Sequence, residues 1–389
     1  MRINRRATAS AAALLLLAAA LAGCTSDGDE APAGRSEVVI GADLASGSAV
    51  DTAYARALQL MIEQINNSGS LGGDRQLVLR IQDNRSDPTS SLRNISTFAD
   101  DPAVVAVVTG ACSECVVGAA KTINDKRIPT VALAPADRVS APVTDRRYVF
   151  KIAPNAGDSA AAMVADLTTA KLTKVAILHT DDLYGKGGVA ALTAELNKAG
   201  IDISGTRAVK PTATDITQTV GTLVDTEPDA LLFLVGPDQA GLASTSAKAA
   251  GFAGRVYLDA NAAGDLFIPQ DAAAATNNTM MVFTQILAID DVISTTPAKA
   301  ARKQWFRDYT SRYGSYSGVA SFAADAATLI GDAVAQAGSD REQIRSIIET
   351  SQIDGLSGPI RITPDNHSGL MPQALTMLVA RSGRWRLLS

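Results

Sequence analysis

Short apolar runs of strand character alternate with helical patterns along most of this 389-residue chain, and this alternation constrains the fold more than any other feature. The first cycle has a β-branched run at 38–42, an apolar helical spacing at 54–65 and an alternating strand at 76–82. Parallel strands require crossover connections, and helices between successive strands supply them while covering both faces of the sheet. The sequence therefore predicts an α/β protein built from doubly wound parallel sheets.

The alternation continues to about residue 349. Further strands are predicted at 104–108, 128–133, 175–178, 201–209, 230–235, 255–258 and 280–283, and further helices at 91–98, 119–124, 160–170, 188–199, 216–224, 299–313, 322–337 and 341–349. The chain exceeds the ~250 to 300 residues at which a single core usually divides. Two doubly wound lobes are therefore the expected organisation.

The N-terminus has the pattern of an export signal. Three arginines within the first six residues precede an apolar run at 11–21, which is too short to span a membrane by the ~20-residue requirement. The run ends in Leu21-Ala22-Gly23-Cys24, which resembles the lipobox of bacterial lipoproteins. That resemblance implies a signal peptide at 1–23, a lipid anchor on Cys24 and a flexible tether at 24–36. The alternative is an ordinary secretory signal whose cleavage site contains a cysteine.

The amino-acid composition argues against several classes of function. The net charge is −5 and no basic block follows the leader, so nucleic acid is not an expected partner. The chain has two histidines and, beyond Cys24, only the cysteines Cys112 and Cys115, which leaves little material for a zinc site or for His-dependent nucleophilic catalysis. We expect no metal, no cofactor and no enzymatic activity.

Polar loops rich in Gly, Ser, Ala or Asp follow the predicted strands. They lie at 45–51, 110–115, 134–137, 180–187, 236–241 and 259–264. In open α/β sheets, ligands gather at the carboxyl ends of the strands, where loops and helix N-termini present unpaired N–H groups. These loops are therefore the predicted site for a small polar ligand.

Short motifs follow one another in a characteristic order. They are Ser46-Gly47, Ile65-Asn66 with Gly72-Gly73, Asp83 with Asp87-Pro88, Gly110 with Ser113, Ile128-Pro129, Val175-Ala176-Ile177-Leu178-His179 with Tyr184-Gly185-Lys186-Gly187, and Gly355-Leu356-Ser357-Gly358-Pro359. This order resembles the periplasmic branched-chain amino acid (Leu/Ile/Val) binding proteins of ABC importers, from about residue 38 nearly to the C-terminus. The resemblance implies a type I periplasmic binding protein fold, in which two lobes joined by a three-segment hinge close on a ligand without chemistry.

The resemblance also sets the expected boundaries. Lobe 1 would comprise residues 37–152 and 284–365, and lobe 2 residues 153–283 and 366–389. Hinge crossings are expected near 152–154, near 283–284 and around 365–370. Short extended segments there can absorb the change in backbone φ and ψ that accompanies closure of the lobes. The protein is expected to be a monomer.

The same resemblance assigns seven residues to the ligand, namely Ser113, Glu114, Pro135, Ala136, Tyr184, Asp259 and Asn261. Ser113 would hold a ligand carboxylate at a helix N-terminus, and the alternative is a plain helix N-cap. Glu114 would repel a carboxylate and could instead meet an ammonium or amide group. Tyr184 matches the cleft tyrosine of the family, and the alternative is a ring that fixes the strand-to-helix turn beside Gly185.

Other parts of the amino-acid signature are incomplete. Pro135 keeps its carbonyl, but Ala136 lacks the hydroxyl that the family places in this stretch, unless Asp137 turns inward. Either Asp259 or Asn261 could bind a ligand ammonium, and a second cleft tyrosine of the family is missing near Gly236. The resemblance therefore supports the scaffold more strongly than it supports an amino acid as ligand.

Cys112 and Cys115 form a C-x-x-C pair in a chain with an export signal. An oxidising compartment favours a local disulfide that stiffens the loop, and redox catalysis is the alternative.

The leading hypothesis is an extracytoplasmic, lipid-anchored solute-binding protein that captures an amino acid or an amide-like molecule for the permease of an ABC importer. The alternative is a ligand-sensing regulatory lipoprotein of the same fold that signals through a partner protein. A hydrolase is a third hypothesis, but the chain has no Gly-x-Ser-x-Gly elbow.

Overall fold

The computed structural model describes residues 36–266, 268 and 270–388. The predicted signal peptide at 1–23 and the acylation site Cys24 lie outside these residues, as does almost all of the predicted tether at 24–36. Ser36, the last residue of that tether, is the first residue of a strand. Within the described part of the chain, no helix is long and apolar enough to cross a membrane.

Strands and helices alternate through most of the described chain. The strands are β1 (Ser36–Leu44), β2 (Arg75–Asp83), β3 (Val104–Thr109), β4 (Thr130–Ala132), β5 (Val149–Lys151), β6 (Lys174–Thr180), β7 (Asp202–Val209), β8 (Ala230–Leu234), β9 (Arg255–Leu258), β10 (Met280–Thr284), β11 (Gln352–Asp354), β12 (Pro359–Arg361), β13 (Leu375–Arg381) and β14 (Arg384–Leu387). The helices are α1 (Ala49–Ser68), α2 (Pro88–Asp100), α3 (Ser113–Asp125), α4 (Ala156–Thr169), α5 (Leu183–Ala199), α6 (Thr217–Val224), α7 (Pro237–Ala249), α8 (Gln270–Thr276), α9 (Pro297–Tyr313), α10 (Ala320–Ala337) and α11 (Arg341–Glu349). Short 3-10 helices lie at Asp137–Val139, Val143–Asp145, Ala260–Ala262, Gln285–Asp291 and Pro372–Ala374.

Two large sheets organise these elements. The first has the order β2-β1-β3-β4-β5, and all of its strands are parallel. The second has the order β14-β13-β10-β9-β8-β6-β7. The predicted α/β fold with two doubly wound sheets is confirmed. In each sheet an inner strand, β3 or β8, is buried along its whole length, as expected when helices cover both faces.

The second sheet departs from the prediction of purely parallel strands. β13 runs antiparallel to β10, and β14 runs antiparallel to β13. The turn between β13 and β14 contains Ser382 and Gly383, which have φ of 53° and 73°. Two consecutive residues with positive φ form the tight hairpin that suits the twist of antiparallel strands. This hairpin adds an antiparallel edge to an otherwise parallel sheet.

The loop prediction at 236–241 was wrong, because α7 begins at Pro237. Proline suits the first position of a helix, where its missing N–H leaves no bond unmade. Likewise, the last five residues of the loop predicted at 180–187 belong to α5. The three-residue strands β4, β5, β11 and β12 carry too few residues to show a periodic pattern, so only β4 was anticipated.

The chain passes between the two sheets after β5, after β10 and after β12. At the first passage, the Lys151 N–H donates to the His367 carbonyl and the Gly369 N–H donates to the Lys151 carbonyl, each at 2.8 Å. The first and third connections therefore lie side by side. After β10, the 3-10 helix Gln285–Asp291 is held to β14 by ion pairs of Asp290 with Arg384 and of Asp291 with Arg386.

A buried carboxylate fixes the Gly355–Pro359 motif. Asp325 of α10 accepts hydrogen bonds from the N–H groups of Leu356 and Ser357 and from the Ser357 hydroxyl. A Cβ on Gly355 would lie 2.7 Å from the Asp325 carboxyl carbon, so a side chain cannot fit there. Burial raises the pKa of Asp325 to about 6, against the opposing effect of these donors.

We expect the stabilising contribution of Asp325 to fall as the pH rises. Because its pKa is raised from 3.8 to about 6 by folding, the folded chain holds this proton more tightly than the unfolded chain. The contribution is complete below about pH 4 and is lost as the pH rises through about 6. The change corresponds to about 3 kcal/mol.

Denaturant titrations at several pH values check this expectation. The difference in unfolding free energy between the parent and Asp325→Asn should shrink between about pH 4 and about pH 7. The exposed residue Asp125 provides the control Asp125→Asn. A difference for Asp325→Asn that does not vary with pH would contradict the assignment.

Candidate ligand-binding site

A small cavity of about 30 Å³ lies between the carboxyl ends of the two sheets. Five of the seven predicted ligand residues line it, namely Pro135, Ala136, Tyr184, Asp259 and Asn261. The connection after β5 contributes Pro154 and Asn155 to the wall. A volume of this size holds about two water molecules, so a larger ligand can enter only if the surrounding loops separate.

A wider groove of about 860 Å³ lies between α1 and α7. Its charged lining residues include Arg56, Asp238 and Asp265, and both of these acids are exposed. The small cavity differs because it contains a fully enclosed ionisable pair. Since a few precisely placed polar groups fix the orientation of a ligand in its pocket, the small cavity with Tyr184, Asp259 and Asn261 is the candidate site.

Tyr184 and Asp259 form that enclosed pair. The Tyr184 hydroxyl donates to Asp259 Oδ2 at 2.5 Å, and both residues are buried. The other oxygen, Asp259 Oδ1, is buried without a well-formed hydrogen bond, although the Ser159 hydroxyl and the Ala260 N–H are near enough to lower the pKa. Burial outweighs them and raises the pKa of Asp259. The pair therefore leaves one carboxylate oxygen unsatisfied at the cavity.

Tyr184 does not fix the strand-to-helix turn, which was the alternative to a cleft role. Asp182 is the N-cap of α5, and its carboxylate accepts the Gly185 N–H at 2.7 Å and the Thr180 hydroxyl at 2.8 Å. A Cβ on Gly185 would lie 2.0 Å from the Thr180 carbonyl oxygen. Glycine is thus required at 185, and the Tyr184 ring is left to line the cavity.

Asn261 follows Asp259 by two residues, in the 3-10 helix Ala260–Ala262. Both residues come directly after β9, at the strand end where a ligand is expected. Asn261 is half-buried and lines the cavity. Its side chain makes no hydrogen bond to the described residues, so its amide is available to a ligand.

Ser113 lies behind the cavity wall. It is buried as the first residue of α3, and its hydroxyl oxygen accepts the Ala136 N–H at 3.2 Å. The N-cap of α3 is Cys112, whose sulfur accepts the Cys115 N–H at 3.2 Å. Ser113 is therefore not the plain N-cap of the alternative interpretation, and it supports the wall that carries Ala136.

Glu114 bridges the two sides of the cleft. Its carboxylate accepts the Leu183 N–H at 2.8 Å, and Leu183 is the first residue of α5. A helix N-terminus carries partial positive charge and unpaired N–H groups, so it favours a carboxylate. A disulfide joins Cys112 and Cys115 on either side of Glu114, with Cα atoms 5.2 Å apart. It ties together the turn that presents Glu114 to α5.

Two structural residues near the site escaped sequence reasoning. Lys151 is fully buried, and its ammonium donates to Asp137 Oδ1 at 3.0 Å, to the Pro154 carbonyl at 2.9 Å and to Asn155 Oδ1 at 2.9 Å. Burial lowers the pKa of Lys151, and Asp137 opposes that change. Asp137 also accepts the Ala156 N–H at the start of α4, and it lines the cavity beside Ala136. The one available clue was that Lys151 directly precedes the predicted hinge at 152–154.

Asp51 is the second missed residue. Its buried carboxylate accepts the Ala45 N–H at 2.7 Å and the Ala111 N–H at 2.9 Å. It thereby joins the loops that follow β1 and β3. A Cβ on Gly110 would lie 2.4 Å from Asp51 Oδ2, which explains the glycine in this motif. Burial raises the pKa of Asp51 to about 6.

Comparison with known proteins identifies the family. A family model described as periplasmic binding protein matches residues 39–384. The chain belongs to the periplasmic binding protein family. Members of this family are solute receptors found in the periplasm or outside the cell, so the prediction of a binding protein rather than an enzyme is confirmed.

An amino acid binding protein from Pseudomonas aeruginosa is 26% identical over 151 residues, which span 38% of this chain and 39% of that protein. The match thus covers about two fifths of the length of the curated relative.

Solved structures share the fold over nearly the whole chain. An extracellular ligand-binding receptor from Rhodopseudomonas palustris HaA2 has a TM-score of 0.80 at 19% identity, covering 91% of this chain and 100% of its own. The leucine binding protein LivK from Thermotoga maritima has a TM-score of 0.77 at 18% identity, covering 90% and 98%. An ABC transporter substrate-binding protein from Desulfitobacterium hafniense, in complex with Leu, has a TM-score of 0.73 at 18% identity, covering 91% and 100%.

We expect Glu114→Ala to favour the open form of the cleft. The substitution leaves the Leu183 N–H without its acceptor, and a hydrogen bond to a charged group contributes about 1.5 to 3 kcal/mol. The closed form should therefore lose about tenfold or more in population relative to the open form. Small-angle scattering would report this as a larger radius of gyration.

Two variants serve as controls for that measurement. Glu114→Gln keeps an acceptor oxygen and should recover part of the closed population. Glu195→Ala removes a carboxylate near the C-terminal end of α5, where it pairs with Lys198, and should have no effect. Equal scattering curves for Glu114→Ala and the parent would show that Glu114 does not hold the cleft closed.

Proposed function

We propose that this protein is an extracytoplasmic solute-binding lipoprotein, which captures a small polar molecule between two lobes and presents it to the permease of an ABC importer. The observation that carries the proposal is the small cavity with an unsatisfied carboxylate oxygen on Asp259. A buried acceptor without a donor is costly unless a ligand satisfies it. The five lining residues predicted from the family pattern support the same location.

The proposed lobes are residues 37–152 with 284–365, and residues 153–283 with 366–389. The two large sheets support this division, since β13 of the C-terminal tail pairs with β10 of the second sheet and β14 pairs with β13. The hinge would include the paired segments around Lys151 and Ser368. Lobes joined by such short extended segments can rotate with small changes in few backbone angles.

The proposed lipid anchor rests on the lipobox pattern that ends at Cys24. The two acyl chains of a diacylglycerol group on Cys24 would be enough for stable membrane binding. An anchored receptor stays within reach of a membrane permease. Lipid labelling of the parent that is lost in Cys24→Ser would support this part of the proposal, and labelling of both would contradict it.

We expect ligand binding to compact the soluble chain, residues 25–389, and to stabilise it. A ligand that binds only the folded state at 100 times its Kd adds about 2.7 kcal/mol to the unfolding free energy. Thermal unfolding with a panel of amino acids, amides, amines and small carboxylates would identify such ligands. Small-angle scattering would then test for a decrease in radius of gyration. A panel that produces neither change would contradict the role of a solute receptor.

A further inference from the structure

Several backbone N–H groups around the cleft are already occupied by carboxylates of the chain itself. Asp51 takes the Ala45 and Ala111 N–H groups in the loops after β1 and β3. Asp137 takes the Ala156 N–H of α4. Glu114 and Asp182 take the Leu183 and Gly185 N–H groups of α5. Loops and helix N-termini of this kind are where a protein usually holds a ligand anion.

Two further donors near the cavity are also used. Lys151 has three ammonium protons, and its three hydrogen bonds go to Asp137, Pro154 and Asn155. The Ala136 N–H donates to Ser113. Pro135 and Pro154 line the cavity and have no N–H to offer. A carboxylate on the ligand would therefore face the acids Asp137 and Asp259, with the Asn261 amide as a side-chain donor.

Acceptors, in contrast, are available. Asp259 is 4% exposed, lines the cavity and has one oxygen without a well-formed hydrogen bond. The Tyr184 hydroxyl satisfies only the other oxygen. Asn261 lines the same cavity, and its side-chain amide makes no hydrogen bond to the described residues. An N–H group would satisfy Asp259, and a carbonyl or hydroxyl group could pair with Asn261.

We infer that the ligand is a compact amine or amide that lacks a free carboxylate and donates its N–H groups to Asp259. This inference rests on the proposed function, because it concerns the ligand of the same cleft. The acids that flank the site would repel a ligand carboxylate, whereas an N–H donor would complete the hydrogen bonds of a buried acceptor. The chain thus keeps the family scaffold while its own side chains fill the places that could hold an anion.

Three matched series of compounds test the inference on the soluble chain. They are glycine, glycinamide and methylamine; alanine, alaninamide and ethylamine; and leucine, leucinamide and isopentylamine. Within each series the amide neutralises the carboxylate and the amine removes it, while the ammonium group is retained. Acetamide and urea extend the test to neutral N–H donors. Thermal unfolding and titration calorimetry give the affinities.

We expect an amide or an amine to bind about tenfold or more tightly than the amino acid of the same series, which is the effect of one hydrogen bond to a charged group. Tighter binding of the amino acid would overturn the inference and leave the proposed function intact. Binding by no compound of any class, without compaction in scattering, would overturn both.

Asp259→Asn tests the assigned acceptor. The variant keeps an oxygen and a similar shape but loses the charge, so affinity for an amine should fall by about tenfold or more, and affinity for a neutral amide should fall less. Asp125→Asn removes an exposed carboxylate and should bind like the parent. Circular dichroism would confirm that both variants fold. Unchanged amine and amide binding by folded Asp259→Asn would overturn the inference.

Discussion

The buried ammonium of Lys151 holds together the region on which the rest of the structure depends. It binds Asp137 from the loop after β4, and it binds Pro154 and Asn155 in the connection to α4. Its backbone pairs with the segment at 367–369, which leads back to the second sheet. A buried charge is tolerated only when its partners are in place. The position of these two connections between the sheets is therefore coupled to the wall of the cavity.

A second theme is the use of carboxylates to satisfy backbone donors at the strand ends. Asp51 joins two loops of the first sheet, while Glu114 reaches from α3 to the N-terminus of α5. Each removes a site that could receive an anion. Asp259 is the exception, since one of its oxygens stays without a regular partner inside the cavity. Thus the carboxylates that bind backbone N–H groups across the cleft also disfavour a ligand with a carboxylate of its own.

The sequence predicted the position of residues that directly follow predicted strands, while their contact with a ligand stays a prediction. Asp259 and Asn261 follow β9, and Tyr184 lies just beyond β6, so their placement at the strand ends needed only the order of elements. Lys151 was missed because its strand has three residues, too few to show a period. Asp51 was missed because its acceptor role depends on Ala111, which lies 60 residues further along the chain. No local pattern carries such a pairing.

The sequence by itself determined the doubly wound α/β architecture, since the alternation of strand and helix patterns is a local property of the chain. It also located the polar strand ends, and it indicated an export leader by its own short pattern. Only the tertiary structure decided which carboxylate meets which N–H group. Glu114 illustrates the reason: its position in a loop suggested a ligand contact, but its partner Leu183 is brought beside it only when the two sheets assemble. Hydrogen bonds between residues far apart in sequence are fixed by packing, and packing has no signature in local spacing.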